Sequence, residues 1–295
     1  MRHPFAQTLC LACVILLAAP MGAAQTAEER PPPEGEVTTF RIVSAAVRER
    51  RRVRVYLPAG YEHDLEMRYP VVYLLHGLRS TDVEFFKLGD LKEILDRMIA
   101  SGELAPAIFV APSGFDGYWT NHVSTRTKSG PRWADYVVDE VVTEVDTRYR
   151  TRAYAGSRAL VGASMGGFGA MSLALQYPMM FGAAVSLSGA LFPEPPNHRN
   201  VYLRAWGNPP DMENWARVSP LELMAEIDPD SAPHLYLHSG DKDELGFAEY
   251  AQLAEAILRL RGIPSVLRLT PGRHGWRTWA PETERWLRFV DQGWN

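Results

Sequence analysis

The sequence predicts an α/β fold in which helices cover both faces of a mainly parallel sheet. Short apolar runs rich in Val, Ile and Leu alternate with segments of helical periodicity throughout the chain after residue 36. The run 71–75 is apolar at every position, which is typical of a strand buried on both faces. The composition, with 46% hydrophobic and 22% charged residues, is globular and excludes disordered, collagen-like and coiled-coil proteins.

Residues 1–24 have the three parts of a secretory signal. A basic start precedes the apolar run Leu9–Ala19, and small residues end the segment at Ala24. We expect cleavage after Ala24 and export to the periplasm or the medium, with an uncleaved membrane anchor as the alternative. The run is short for a bilayer span, so no stable membrane insertion is expected after cleavage. Both cysteines, Cys10 and Cys13, lie in this leader, so no thiolate metal site is expected in the mature chain.

Residues 25–36 are polar and Pro-rich and predict an extended spacer. The rest, 37–295, is interpreted as one catalytic domain, because no repeat and no second composition regime appears. A stretch at about 192–229, rich in Pro, Asn and Trp and without clear periodicity, is expected to be an irregular insertion and a candidate lid. The formal net charge of −4 disfavours a nucleic-acid partner.

The elements of this domain follow from local patterns. Alternating apolar residues predict the early strands, and apolar runs predict the buried ones. One helix is predicted from an apolar face of five valines between 137 and 145, and another from its end at Gly262. Strands are predicted at 37–47, 50–57, 71–75, 108–111, 159–161, 183–187, 234–237 and 266–269, and helices at 88–100, 135–149, 170–176, 247–261 and from about 281.

The sharpest local signal is Gly162-Ala163-Ser164-Met165-Gly166, between a predicted strand and a predicted helix. Gly-x-Ser-x-Gly in that context is typical of the nucleophile elbow of the α/β-hydrolase fold, where a tight turn exposes the serine hydroxyl at the sheet edge. Glycines are expected on both sides because side chains there would collide with the neighbouring strand and helix. We therefore predict Ser164 as a nucleophile; an ordinary Gly-rich turn is the alternative.

A serine nucleophile needs a base, which in this fold follows it in the chain. Four histidines lie downstream of Ser164. His274 lies in a loop between the last strand and the last helix, where the base is expected. The others, His198, His234 and His238, fall in the insertion or in a strand and are interpreted as structural.

The orienting acid is expected after the preceding strand, in Ser239-Gly240-Asp241-Lys242-Asp243-Glu244. Asp243 is favoured because a glycine stands three residues before it, and Asp241 and Glu244 remain alternatives. The acids that do not serve are expected to be solvated or to pair with Lys242. For the oxyanion hole, the N–H groups of Met165 and of Leu78 are the candidate donors. His76, two residues before Leu78, is interpreted as a structural turn residue.

Taken together, the motifs at 73–78, 162–167, 240–243 and 274–279 resemble the esterase D / putative esterase family. That family includes feruloyl and acetyl xylan esterases, S-formylglutathione hydrolases, siderophore esterases and mycolyltransferases. The resemblance implies Ser164 as nucleophile, His274 as base and Asp243 as acid, with oxyanion amides from Leu78 and Met165. In this chain Ala163 stands where the family more often has His.

We therefore predict an exported serine hydrolase that acts through an acyl-enzyme, without metal or cofactor. Its expected substrates are feruloyl or acetyl carbohydrate esters or other short acyl esters. Trp119 and Trp276 are candidate substrate contacts, although Trp276 and Trp279 are also interpreted as packing the last helix on the sheet. A mycolyltransferase-like acyltransferase and a siderophore esterase are alternative activities. An exported binding protein that retains the fold is the non-enzymatic alternative.

Overall fold

A computed structural model describes residues 34–124 and 129–294 of the chain. The predicted signal segment 1–24 and most of the predicted spacer 25–36 lie outside the described residues. Within these limits, none of the helices combines the length and the apolar character needed to cross a membrane.

Eight strands form one sheet, and each lies where an apolar or alternating run predicted a strand. Their bounds are β1 (Glu36–Ser44), β2 (Glu49–Leu57), β3 (Val71–Leu75), β4 (Ile108–Pro112), β5 (Arg158–Ala163), β6 (Ala183–Leu187), β7 (His234–Gly240) and β8 (Ser265–Thr270). The strand order is β1-β2-β4-β3-β5-β6-β7-β8. β1 and β2 are antiparallel, β2 is antiparallel to β4, and the remaining neighbours are parallel. The predicted α/β-hydrolase architecture is confirmed.

Helices lie against both faces of the sheet because alternate strand residues point to opposite sides. In β3, Val71, Tyr73 and Leu75 belong to one apolar cluster, together with much of the helix Met165–Gln176. The intervening Val72 and Leu74 belong to a second cluster with residues of the helices Leu91–Ala100 and Thr283–Gln292. The helices are α1 (Glu84–Leu88), α2 (Leu91–Ala100), α3 (Trp133–Asp135), α4 (Val142–Arg148), α5 (Met165–Gln176), α6 (Asn200–Trp206), α7 (Met212–Val218), α8 (Pro220–Glu226), α9 (Phe247–Leu260), α10 (Trp276–Trp279) and α11 (Thr283–Gln292), with a π-helical segment (Tyr136–Val141) between α3 and α4.

Two predictions about helices need correction. The segment predicted as one helix at 88–100 belongs to two helices, because the chain turns at Gly89 and at Asp90, whose φ is +47°. A side chain at Gly89 would lie 2.5 Å from the indole of Trp276, so the turn also makes room for that ring.

The insertion at 192–229 is not irregular, since it contains α6, α7 and α8. These helices are seven residues each, less than two full turns, so their periodicity is too brief to detect in the sequence. Trp206 and Trp215 are fully buried with ring centroids 5.0 Å apart, and both pack on Phe168 of α5. The prediction that this segment forms a lid remains a hypothesis.

Candidate active site

Ser164 lies at the turn between β5 and α5 in the strained conformation expected of a nucleophile elbow. Its φ is +56° and its ψ is −116°, a region that non-glycine residues rarely adopt. The flanking glycines permit this turn. A Cβ at Gly162 would lie 1.9 Å from the carbonyl oxygen of Gly166, and one at Gly166 would lie 1.8 Å from that of Leu75. The hydroxyl therefore stands at the N-terminus of a 12-residue helix, where backbone N–H groups favour developing negative charge.

The structure brings together three of the predicted side chains. The Oγ atom of Ser164 is 3.0 Å from Nε2 of His274, and Nδ1 of the same ring is 2.8 Å from Oδ2 of Asp243. The Asp243 side chain is fully buried and that of His274 is 17% exposed. A neutral imidazole that carries its proton on Nδ1 donates to Asp243 and accepts from the serine hydroxyl. This arrangement can remove the proton from Ser164.

The two competing acids contact the histidine loop through its backbone. Asp241 accepts from the N–H of Gly272 at 3.0 Å, and Glu244 accepts from the N–H of His274 at 3.1 Å. Bonds from its own N–H and from that of His274 hold the pKa of Glu244 at about 2. Both acids are exposed, as expected of solvated loop charges, and they also hold the loop that carries His274.

The two predicted oxyanion donors lie on either side of the serine. Met165 is the first residue of α5, so its N–H has no acceptor within the helix. On the other side, a Cβ built on Gly77 would lie 3.6 Å from Cβ of Ser164, which places Gly77, the residue before Leu78, beside the nucleophile. Within the described part of the chain, the N–H of Leu78 has no hydrogen-bond partner.

His76 is a buried structural residue, as interpreted from the sequence. Nδ1 of His76 lies 2.8 Å from the carbonyl oxygen of Gly77, and its Nε2 accepts from the N–H of Gly114 at 2.9 Å. Burial lowers the pKa of His76, which favours the neutral ring that both bonds require. The ring thus joins the loop after β3 to the loop after β4.

An aromatic cavity of about 410 Å³ lies beside His274. Phe247 forms one of its walls and packs edge-on against the His274 ring, with centroids 5.2 Å apart. The other lining residues include an acid, two basic side chains and further rings: Phe192, Glu194, His198, Arg199, Tyr202 and Tyr250. A larger cavity of about 930 Å³ contains none of the residues predicted for catalysis.

The structure does not place Trp119 where a substrate could touch it. Its side chain is fully buried, packs against Gly169 and donates through Nε1 to the carbonyl oxygen of His76 at 3.2 Å. The prediction of a substrate contact at Trp119 is therefore wrong in this conformation. Trp276 is half-buried, and its Nε1 donates to Glu84 at 2.9 Å. Trp279 packs edge-on against His274 with centroids 4.9 Å apart.

The three other histidines downstream of Ser164 lie in β7 and at the aromatic cavity. His238 is buried in β7, its Nε2 lies 2.9 Å from Oγ1 of Thr270, and burial lowers its pKa to about 4. His198 faces the aromatic cavity, and His234 begins β7.

Glu84 was not predicted as a site residue, although its carboxylate contacts both Gly77 and Trp276. The one indication in the sequence is an acidic residue seven positions after Gly77. No cluster of metal-ligating side chains occurs in 34–124 or 129–294.

The chain is similar in sequence to known proteins. A sequence model of the family described as "Putative esterase" matches residues 44–288. Esterase Rv1288 of Mycobacterium tuberculosis is 36% identical over 152 residues, which are 51% of this chain and 31% of that protein. An endo-1,4-beta-xylanase/feruloyl esterase of Xylanibacter ruminicola is 29% identical over 161 residues, 54% of this chain and 22% of that protein. The chain thus spans about a third or less of the length of these two relatives.

Solved structures extend the similarity over most of the chain. A ferulic acid esterase superposes with a TM-score of 0.76 and 26% identity, covering 89% of this chain and all of that one. An S-formylglutathione hydrolase from Agrobacterium tumefaciens superposes with a TM-score of 0.74 over 89% of this chain and 96% of that one. At 19% identity, the second similarity concerns the fold alone.

Proposed function

The chain belongs to the "Putative esterase" family, and from this membership and the geometry of its site we propose that it is an exported serine hydrolase of carboxylic esters. One observation carries the proposal. It is the unbroken hydrogen-bond series from Ser164 Oγ through the His274 ring to Asp243, at 3.0 Å and 2.8 Å. A nucleophile, a base and an orienting acid in that series are the parts that acyl transfer to serine requires.

In the proposed reaction, Oγ of Ser164 attacks the ester carbonyl carbon while Nε2 of His274 takes its proton. Asp243 keeps the imidazole in the correct tautomer and stabilises the imidazolium that forms. The carbonyl oxygen becomes an oxyanion that accepts from the N–H groups of Leu78 and Met165. His274 then donates its proton to the leaving alcohol, which leaves an acyl-enzyme on Ser164. Water, activated by the same histidine, releases the acid.

The cavity beside His274 supports an ester with an apolar or aromatic part. Its volume of about 410 Å³ lies within the range of small-ligand sites, and its rings offer edge and face contacts to another aromatic group. The family relative named feruloyl esterase makes feruloyl carbohydrate esters the first substrates to test. Acetylated xylan and short acyl esters come next.

The decisive experiment compares Ser164→Ala with wild type on p-nitrophenyl acetate and butyrate. We expect a loss of about 10⁴-fold or more in kcat, an unchanged melting temperature and no labelling by a fluorophosphonate probe. Ser101→Ala, at an exposed serine after α2, is the matched control and should keep full activity. Full activity in Ser164→Ala would refute the mechanism, and a wild type that the probe does not label would favour a binding protein.

Two further measurements address the finer parts of the proposal. Addition of trehalose or a ferric siderophore ester to the substrate panel distinguishes hydrolysis of simple esters from acyl transfer and from siderophore hydrolysis. Export is supported by the leader pattern of residues 1–24. It predicts that protein recovered outside the cytoplasm begins at Gln25, whereas a retained Met1 would contradict cleavage.

A further inference from the structure

The Glu84 carboxylate connects the two loops that carry the proposed catalytic groups. Its Oε2 accepts from the N–H of Gly77 at 2.8 Å, and its Oε1 accepts from Nε1 of Trp276 at 2.9 Å. Gly77 precedes the oxyanion donor Leu78, and Trp276 lies two residues after His274. The side chain thus spans the oxyanion loop and the histidine loop.

Glu84 is buried in an unusual way. The residue is 7% exposed, and both of its bonds come from neutral donors. Among the described residues it forms no ion pair, whereas Asp82, two positions earlier, pairs with Arg52 and Arg54. A buried carboxylate without a cation costs stability. A role in fold stability therefore accounts for the buried, ion-paired carboxylate of Asp82 better than for the buried carboxylate of Glu84.

The bonds around Gly77 fix the direction of the neighbouring N–H group. The carbonyl oxygen of Gly77 accepts from Nδ1 of His76 at 2.8 Å, and the N–H of Gly77 donates to Glu84. Because a trans peptide is planar, the N–H of Leu78 points away from the Gly77 oxygen. Rotation of that peptide would break the His76 bond, and a shift of Gly77 would break the Glu84 bond. Both bonds therefore restrict the orientation of the Leu78 N–H.

We propose that Glu84 is a positioning residue that holds the Leu78 N–H in register with Ser164 while anchoring the histidine loop through Trp276. The inference rests on the proposed serine mechanism. It concerns transition-state stabilisation, because the N–H of Leu78 meets a full negative charge only in the tetrahedral intermediate. If the Leu78 N–H is no longer held in position relative to Ser164, kcat should fall and KM should stay nearly unchanged.

Glu84→Gln separates geometry from charge. The substitution removes a negative charge close to the oxyanion, which by Coulomb's law alone would raise kcat. The glutamine amide, however, has one acceptor oxygen for the two N–H donors of Gly77 and Trp276. Its NH₂ group would face the second donor, and two donors cannot form a hydrogen bond. Positioning predicts that kcat falls by about tenfold to a hundredfold, less than the 10² to 10³ lost with a whole oxyanion donor. The affinity for phenylboronic acid, a tetrahedral mimic on serine, should fall similarly, and KM should stay within about threefold.

Rescue by a second change tests the same point. Trp276→Phe removes the competing indole N–H, so the amide oxygen introduced by Glu84→Gln is free to accept from Gly77. The double variant should recover at least about fivefold in kcat over Glu84→Gln alone. Asp82→Asn is the matched control at a buried carboxylate. It should lower the melting temperature and leave kcat and phenylboronic acid affinity within about threefold of wild type.

The outcomes separate this inference from the proposed function. A wild type that a fluorophosphonate does not label refutes the serine mechanism itself. A labelled wild type with an unchanged or higher kcat in Glu84→Gln, or with no recovery in the double variant, overturns the positioning role alone. If Glu84→Gln does not fold, Glu84→Asp replaces it. Its shorter side chain keeps the charge and withdraws the acceptor, so full kcat in that variant overturns the inference too.

Discussion

Asp243→Asn is the sharpest test of the proposed acid. The Asp243 side chain is fully buried, its Oδ2 lies 2.8 Å from Nδ1 of His274, and its Oδ1 accepts from the N–H of Leu245 at 3.1 Å. When His274 takes the serine proton, its positive charge stands about 4 Å from the carboxylate charge, and at an effective dielectric constant of about 20 this pair is worth about 4 kcal/mol. The neutral amide loses that stabilisation, which predicts a fall of about 10³-fold in kcat.

The assay measures kcat and KM on p-nitrophenyl butyrate, with thermal melting as the check on folding. Asp241→Asn is the matched control, because it makes the same charge change two residues away. Its amide oxygen can still accept from the N–H of Gly272, so kcat should stay within about fivefold of wild type. A larger loss in Asp241→Asn than in Asp243→Asn would refute the assignment of the acid.

Two further predictions concern stability and the aromatic cavity. Burial lowers the pKa of His238 and His122 to about 4 each, so between pH 6.5 and 4 the unfolded chain binds more protons and the free energy of unfolding falls as the pH is lowered. At pH 5 each histidine lowers the free energy of unfolding by about 2 kcal/mol relative to pH 7.5. In urea unfolding, the free energy of the His238→Gln variant should therefore fall by about that much less than the wild type's between these two pH values. An equal fall in variant and wild type would contradict this reasoning. Tyr250 lines the cavity and packs against Phe247, so Tyr250→Ala should raise KM about tenfold for feruloyl esters and less than twofold for p-nitrophenyl acetate. Equal changes for both substrates would place the acyl group elsewhere.

The fold was predictable because each strand carries its own local signal. The uniformly apolar β3 and the alternating β2 reveal their burial directly through their residues. The insertion was not predictable in the same way, because its helices depend on tertiary packing. Trp206 and Trp215 are buried against Phe168, which lies in α5 and far away in sequence. No periodicity within 192–229 encodes that contact.

The positions of Ser164, His274 and Asp243 were predicted from motif and chain order, and their roles stay predictions until the variants are measured. Trp119 was misplaced because an aromatic residue near a strand end has the same sequence signature whether it lines a site or supports it. In the structure it lies beneath the His76 backbone, and a Cβ at Gly169 would lie 2.6 Å from its ring. The indole fits there because Gly169 has no side chain. Trp119 and Gly169 are 50 positions apart, so the sequence alone does not show that they meet.

Glu84 was missed for a related reason, and the comparison with the three acids after β7 explains why. Asp241, Asp243 and Glu244 are close in sequence and each contacts the loop at 272–274, so a single local pattern contains them all. Glu84 reaches Trp276 across 192 positions, so nothing local connects the two residues. These four carboxylates hold the histidine loop through backbone N–H groups, the imidazole N–H and the indole N–H, and Glu244 in addition pairs with Arg273 at 3.4 Å. The two buried carboxylates, Asp243 and Glu84, bind the loop through neutral donors. Such donors orient the loop without adding a permanent positive charge, which would oppose the imidazolium that forms when Ser164 attacks.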